Sequence, residues 1–141
     1  GNNAANELDD YEEGTWTPAY DTTSVTASSY TGTNGHYTKV GSLVTFTARV
    51  EMSSSTVTAN PIYLEGLRFA AANSKREGGA NFGYADNWGG GSSSATAPIT
   101  MHIDVNTSKI AFYDGDGSGL NADDVYDDAQ RAIHIRGFYY V

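Results

Sequence analysis

The chain has 141 residues, 17 Asp and Glu against 8 Lys and Arg for a formal net charge of −9, and no cysteine. That charge repels nucleic-acid phosphates and anionic membrane faces, so nucleic acid is not an expected partner; no apolar run approaches the roughly 20 residues of a helical span, so membrane insertion is not expected either. Without cysteine there are neither disulfides nor thiolate metal ligands, and 16 Gly with 10 Tyr, few Leu and many Thr and Ser point to an all-β chain rather than a helical one.

In chain order, Gly1–Glu7 is small and polar with no hydrophobic period, and reads as a flexible N-terminal joint (residues 1–7), leaving residues 8–141 as one β domain. Leu8 to Gly14 sets four carboxylates around Tyr11; it reads as a solvated turn whose Leu8 and Tyr11 dock on the domain, with a cation site as the alternative. Thr15–Tyr20 is an edge strand, because Pro18 has no N–H for a central ladder. Asp21–Gly35 is rich in Ser, Thr and Gly, and is either a long loop or a weak hairpin. The cleanest strand signal follows. Val44, Phe46, Ala48 and Val50 fall on one face and Thr45, Thr47 and Arg49 on the other, with Tyr37–Val40 as a short partner strand across the break at Gly41-Ser42. This ribbon is expected in the middle of the β structure.

Beyond a polar turn at Ser53–Asn60, Pro61–Leu64 is a short strand, and Ala70–Arg76 has the composition of a single helical turn ended by Gly78-Gly79. Gly78–Tyr84 reads as a strand with Phe82 and Tyr84 on the same side, leading into a Gly/Ser loop, Asp86–Ser94, that carries Trp88. Ala97–Val105 alternates with Met101, Ile103 and Val105 inward; Asn106-Thr107-Ser108 is a turn, and Lys109–Tyr113 pairs back as its hairpin partner. Asp114–Asp128 is a long acidic loop. The closing strand, Arg131–Val141, has Ile133, Ile135, Tyr139 and Val141 on one face and Ala132, His134, Arg136, Phe138 and Tyr140 on the other, so both faces have something to bury. Short strands separated by turn signals imply an antiparallel β-sandwich, jelly-roll-like.

Two stretches carry a resemblance. Leu8-Asp9-Asp10-Tyr11-Glu12-Glu13-Gly14-Thr15-Trp16-Thr17-Pro18, followed by Gly35-His36-Tyr37-Thr38-Lys39-Val40-Gly41-Ser42-Leu43-Val44, resembles the distal, receptor-binding domains of bacteriophage tail fibres and tailspikes. Glu65-Gly66-Leu67-Arg68-Phe69, Ala72-Asn73-Ser74, Phe82-Gly83-Tyr84 and the closing Gly137-Phe138-Tyr139-Tyr140-Val141 fit the same pattern. Two departures are Arg68, where the pattern implies Pro, and the Asp-rich insert at Asp114–Asp128. The resemblance implies a homotrimeric, non-enzymatic β domain at the tip of a host-recognition fibre, on the virion and extracellular, with no catalytic residue.

For chemistry, Asp114-Gly115-Asp116-Gly117-Ser118-Gly119 matches the first half of a Ca²⁺ loop, with oxygen ligands Asp114, Asp116 and Ser118 and Gly for the turn, but Val125 stands where the bidentate Glu belongs. The other reading is a hairpin tip of turn formers. No nucleophile elbow, His-Glu-x-x-His helix or phosphate loop is present, and His102 with Asp104 on one strand face reads as a surface pair, so the chain is not expected to be an enzyme. Binding is the stronger expectation. Trp88 with Asp86, Asn87 and Tyr84 is a composition that recognises sugars, an aromatic face for C–H patches beside amide and carboxylate groups for hydroxyls. Tyr126 with Asp124 and Asp127 is a second such cluster. The competing reading is that Trp88 plugs a subunit contact or caps the core. Together these readings describe a trimeric fibre tip that binds a bacterial cell-surface saccharide through distal loops, with a structural trimerisation cap as the alternative.

Overall fold

The computed structural model describes residues 10–73, 78–86, 100–125 and 131–141, for Arg131 the backbone alone. Eleven strands and one helical turn are present among them: β1 (Tyr11–Trp16), β2 (Ala19–Tyr20), β3 (Val25–Ala27), β4 (Tyr30–Val40), β5 (Leu43–Met52), β6 (Ser55–Val57), β7 (Tyr63–Glu65), β8 (Gly79–Asp86), β9 (Thr100–Ile103), β10 (Lys109–Tyr113), α1 (Ala122–Val125) and β11 (Arg131–Tyr140). Nine strands form one sheet in the order β1-β4-β5-β11-β8-β9-β10-β7-β2, and β3 and β6 form a separate ribbon. The strand pairings are antiparallel throughout, as the composition and alternation require.

The sheet cannot be flat. β1 and β2 are its two edges, yet only Thr17 and Pro18 separate them in sequence. Eight inter-strand spacings of about 4.8 Å would hold flat edges nearly 40 Å apart, whereas three residue steps span at most about 11 Å. The sheet therefore curls until its edges meet, and the inner faces of both halves share one core. Val44, Phe46, Val50, Met52, Ile133 and Tyr139 from one half join Leu64, Met101, Ile103, Ile110 and Phe112 from the other. Pro18, expected on an edge strand, stands at the crossing from one edge to the other.

β5 keeps the alternation of its sequence, with Val44, Phe46, Ala48, Val50 and Met52 buried and the residues between them facing out. It lies between β4 and β11, in the interior of the sheet as expected. The two-residue turn to β4 places Gly41 at φ 57°, the positive angle required at the first position of a II′ turn. The segment before it resolves in favour of a hairpin: β4 starts at Tyr30, far earlier than Tyr37, because Tyr30 to Val40 pairs along nearly the whole of β5.

Three cross-strand pairs organise the inner face. Trp16 lies opposite Gly35, Tyr37 opposite Gly14, and Phe46 opposite Gly137. A methyl group added at these glycines would come within 2.5 Å of Trp16 Cε2, 2.9 Å of Tyr37 Cζ and 2.7 Å of Phe46 Cζ respectively. Each ring thus lies across a bare backbone on the neighbouring strand, where it covers peptide surface that no side chain protects. Trp16 and Tyr139 then pack edge-on to Phe46 at 6.1 and 5.9 Å, and Tyr37 packs edge-on to Phe69 at 5.5 Å.

Three expectations need correction. Phe82 and Tyr84 do not share a side: Ile135 pairs with Phe82 but His134 with Tyr84, so Gly83 is an extra residue in a β-bulge. A bulge shifts the period by one and turns Tyr84 outward while Phe82 stacks near Phe112 inside. Ala70–Ala72 is not helical; Ala71 bridges Val105, and its N–H donates to the Thr107 carbonyl at 2.8 Å. The rest of that expected turn, residues 74–76, lies outside the described residues. The acidic segment, in its described part, is not a loose tip either. Leu120, Ala122 and Val125 are buried, the Ile62 N–H donates to the Leu120 carbonyl, the Ala122 N–H donates to the Asn60 carbonyl, and the Asp124 carboxylate caps α1 by accepting the Asn121 N–H at 3.0 Å. Aspartates dominate the composition there and mask an apolar spacing that docks the segment.

Candidate functional site

On the outer face, β1, β4, β5, β11 and β8 present their outward residues side by side, because directly paired residues of antiparallel strands point the same way. The register sets Tyr11, Val40, Leu43 and Tyr140 in one row at the end nearest the β4–β5 turn, with Phe138 in the next row. Farther along come Arg136 beside Thr47, then Tyr84, His134, Arg49 and Asn34 abreast, and finally Asp86, Ala132 and Glu51. The face is therefore polarised, apolar at one end and charged at the other. The row of Tyr140 and the row of His134 are six residues apart along β11, or about 20 Å.

Among the described residues five large apolar or aromatic side chains are exposed, and Tyr11 (52%), Val40 (44%), Tyr84 (51%) and Phe138 (45%) lie on this one face. Tyr140 packs edge-on to Phe138 at 6.4 Å. The Tyr11 hydroxyl donates to Glu13 at 2.5 Å, a bond to a carboxylate that raises the phenol's pKa.

At the charged end a depression of about 380 Å³ is lined by Asn34, Thr47, Arg49, Gly83, His134 and Arg136, together with Ala48 and Ile135. Tyr84 stands at its side, its ring 5.2 Å from that of His134 and tilted by 48°. Arg49 donates from Nε (2.9 Å) and Nη2 (2.7 Å) to the same oxygen of Glu51, which leaves its remaining N–H groups free to point elsewhere. His134 Nε2 lies 3.8 Å from that oxygen, too far for a hydrogen bond, and has no hydrogen-bond partner among the described residues although it is buried. Arg136 has no ion pair among the described residues; its guanidinium sits beside Gly83.

Of the residues singled out in the sequence, Tyr84 and Asp86 fall on this face, two residues apart on β8 and both exposed. Asn87, Trp88, Tyr126 and Asp127 lie outside the described residues. Asp114, Asp116 and Ser118 sit together in a turn, where one Asp114 oxygen accepts the N–H groups of Asp116 (3.0 Å) and Ser118 (2.8 Å). That oxygen thus serves the loop's own backbone. Among the described residues no group of three or more His, Asp or Glu side chains converges in a metal-holding arrangement. His102 on β9 and Asp104 just past its end do meet, at 2.6 Å, with the imidazole stacked on Tyr113 at 4.6 Å. Asn34, Arg49, Glu51, His134 and Arg136 were missed as a group. For all but Asn34 their signal was the polar side of the alternation in β5 and β11, and only the pairing of those strands, with β4 bringing Asn34 opposite Arg49, joins the lists.

No protein-family model matches the sequence, and no curated protein matches it. Among solved structures, the chain is similar to the crystal structure of the Dettilon tailspike protein (gp208), with a TM-score of 0.64 over 92% of this chain and 14% sequence identity. The fold is tailspike-like. The chain spans 24% of that tailspike's length. Within this tailspike-like fold the charged depression lies on the outside of the curled sheet, between the strands that bury the aromatic–glycine pairs on their other side.

Proposed function

We propose that the chain is a receptor-binding module of a phage tail fibre or tailspike, that it binds a bacterial cell-surface saccharide without cleaving it, and that it does so as a homotrimer on the virion. The observation that carries this reading is the tailspike-like fold over 92% of the chain; the Asp9-Asp10-Tyr11-Glu12-Glu13-Gly14-Thr15-Trp16-Thr17-Pro18 opening supports it. The exposed Tyr84 ring, with amide, carboxylate and guanidinium groups of Asn34, Glu51, Asp86 and Arg136 around it, supplies the stacking face and hydrogen-bonding groups a sugar needs. The apolar end of the same face, Tyr11, Val40, Phe138 and Tyr140, suits contact with a second copy, since exposed aromatic side chains are favoured in interface cores. Three weak sites on one axis then act together through effective concentration. The same apolar end favours a second reading, a trimerisation cap with no ligand. Light scattering and adsorption to a panel of bacterial cells separate the two. A trimer of 45 kDa (three copies of 15.0 kDa) that adsorbs and competes with virions supports the receptor-binding module; a trimer that never adsorbs supports the cap; a monomer at micromolar concentration refutes both.

A further inference from the structure

Resting on the saccharide-binding reading, we infer that the depression between Tyr84 and Arg136 takes an acidic sugar, a uronic or sialic acid residue whose carboxylate pairs with the Arg136 guanidinium. The chain as a whole carries −9, so its general field discourages anions, and any anion it binds must be drawn by a local cation. Arg136 is that cation. It is exposed on the central strand β11, it lines the depression, and no carboxylate among the described residues neutralises it. The other guanidinium in the depression, Arg49, is already neutralised by Glu51. The site is thus positive at Arg136, neutral at the Arg49–Glu51 pair, and negative toward Asp86, two rows away or about 13 Å along the strands.

A neutral hexose would leave this polarity unused. An acidic sugar fits it: carboxylate toward Arg136, where a planar fork gives two parallel N–H···O bonds, and ring hydroxyls toward Asn34 and Glu51, which offer amide donors and a carboxylate acceptor. The apolar C–H face of the ring rests on Tyr84, which the Gly83 bulge turns outward. The bulge also sets Gly83 beside the guanidinium, within ordinary contact distance of Arg136 Nη2.

The test uses the purified chain on an array printed with neutral glucans and galactans and with polymers of glucuronic, galacturonic and sialic acid. The strongest binder is then compared with the same polymer after its carboxyl groups have been reduced to primary alcohols. Binding to acidic polymers, weakened at least tenfold by carboxyl reduction and to a similar degree by Arg136→Gln, with Arg136→Lys between the two, is the expected result. An unchanged melting temperature for both variants shows that the fold is intact. Binding confined to neutral glycans, or an affinity that neither carboxyl reduction nor Arg136→Gln alters, overturns the acidic-sugar inference and leaves the saccharide-binding reading standing. A chain that binds no polymer and adsorbs to no bacterial cell overturns that reading, and the inference with it.

Discussion

Replacing Gly137 by Ala tests the packing on which the outer face rests. Gly137 is central in β11, between Phe46 on β5 and Ala80 on β8. An added methyl group would stand 2.7 Å from Phe46 Cζ and 2.8 Å from Ala80 Cβ, and would press against the Gly79 carbonyl oxygen. The ring cannot retreat freely, because Trp16 and Tyr139 bracket it at 6.1 and 5.9 Å, and the carbonyl belongs to a paired strand. Overpacking of this kind costs about 1–3 kcal/mol where side chains alone give way; with backbone in the way, the upper end, about 3 kcal/mol, is expected. At about 2.1 cal/mol/K per residue, a chain of this length has an unfolding entropy near 0.3 kcal/mol/K, so the melting temperature should fall by about 10 °C. Thermal unfolding followed by circular dichroism reads this directly. Gly83→Ala is the control: it lies one residue from the same β8–β11 pairing but faces ordinary contacts at 3.5 and 3.7 Å, and should move the midpoint by less than about 2 °C. If Gly137→Ala melts within 3 °C of the parent, the account of aromatic rings laid across bare glycines is wrong.

Other outcomes follow from the same structure. Tyr84→Ala should weaken the proposed glycan binding by at least tenfold and leave thermal stability unchanged, since the ring is half exposed and, among the described residues, packs on His134; binding at parental affinity would remove Tyr84 from the site. If the chain assembles as the proposed trimer, Phe138→Glu should dissociate it in light scattering without unfolding the chain, because Phe138 faces outward; an intact trimer would place the subunit contact elsewhere. Burial pushes the Tyr139 phenol up to about 12, while its hydroxyl donates to the Phe69 carbonyl at 3.1 Å. A raised pKa means the folded state holds its proton where the unfolded state loses it, so stability present below pH 10 should drain away as the pH rises toward 12. Two units correspond to about 3 kcal/mol, and Tyr139→Phe should lack this alkaline loss in urea titrations at pH 9 to 12. Hydrogen bonds from Thr23, with Lys109 at 3.2 Å, hold the Asp21 carboxyl below its ordinary range. Its contribution is present above pH 4 and lost as the pH falls through the lowered value, so Asp21→Asn should flatten the acid limb of the stability curve.

Much of the architecture was legible from side-chain period alone. β5 and β9 follow two-residue alternation over a buried face, β10 pairs back on β9 as its hairpin partner, and the Asn106 turn takes φ 60°, as a residue tolerant of the left-handed region allows. Where the reading failed, a local rule was outweighed by something distant. Phe82 and Tyr84 are two apart and should share a face, but one extra residue at Gly83 breaks the period, and bulges leave no reliable trace in a sequence rich in glycine. Ala71 belongs to a strong helix former, yet its N–H is taken by Thr107 across the fold. Leu120, Ala122 and Val125 were hidden among aspartates because average hydrophilicity says nothing about three apolar side chains with a groove to enter.

Alternation, proline placement and charge, all properties of neighbouring residues, were enough to establish an acidic, antiparallel all-β chain with β5 inside it and an edge at Pro18. They also separated the inward from the outward residues of β5 and β11. What no neighbour relation contains is register. The union of Arg49 and Glu51 with His134 and Arg136, and the facing of each aromatic ring by a glycine, join residues about twenty to ninety positions apart. Such contacts form only when the sheet curls closed on a shared core, since the apolar surface buried there offsets the entropy of bringing distant segments together.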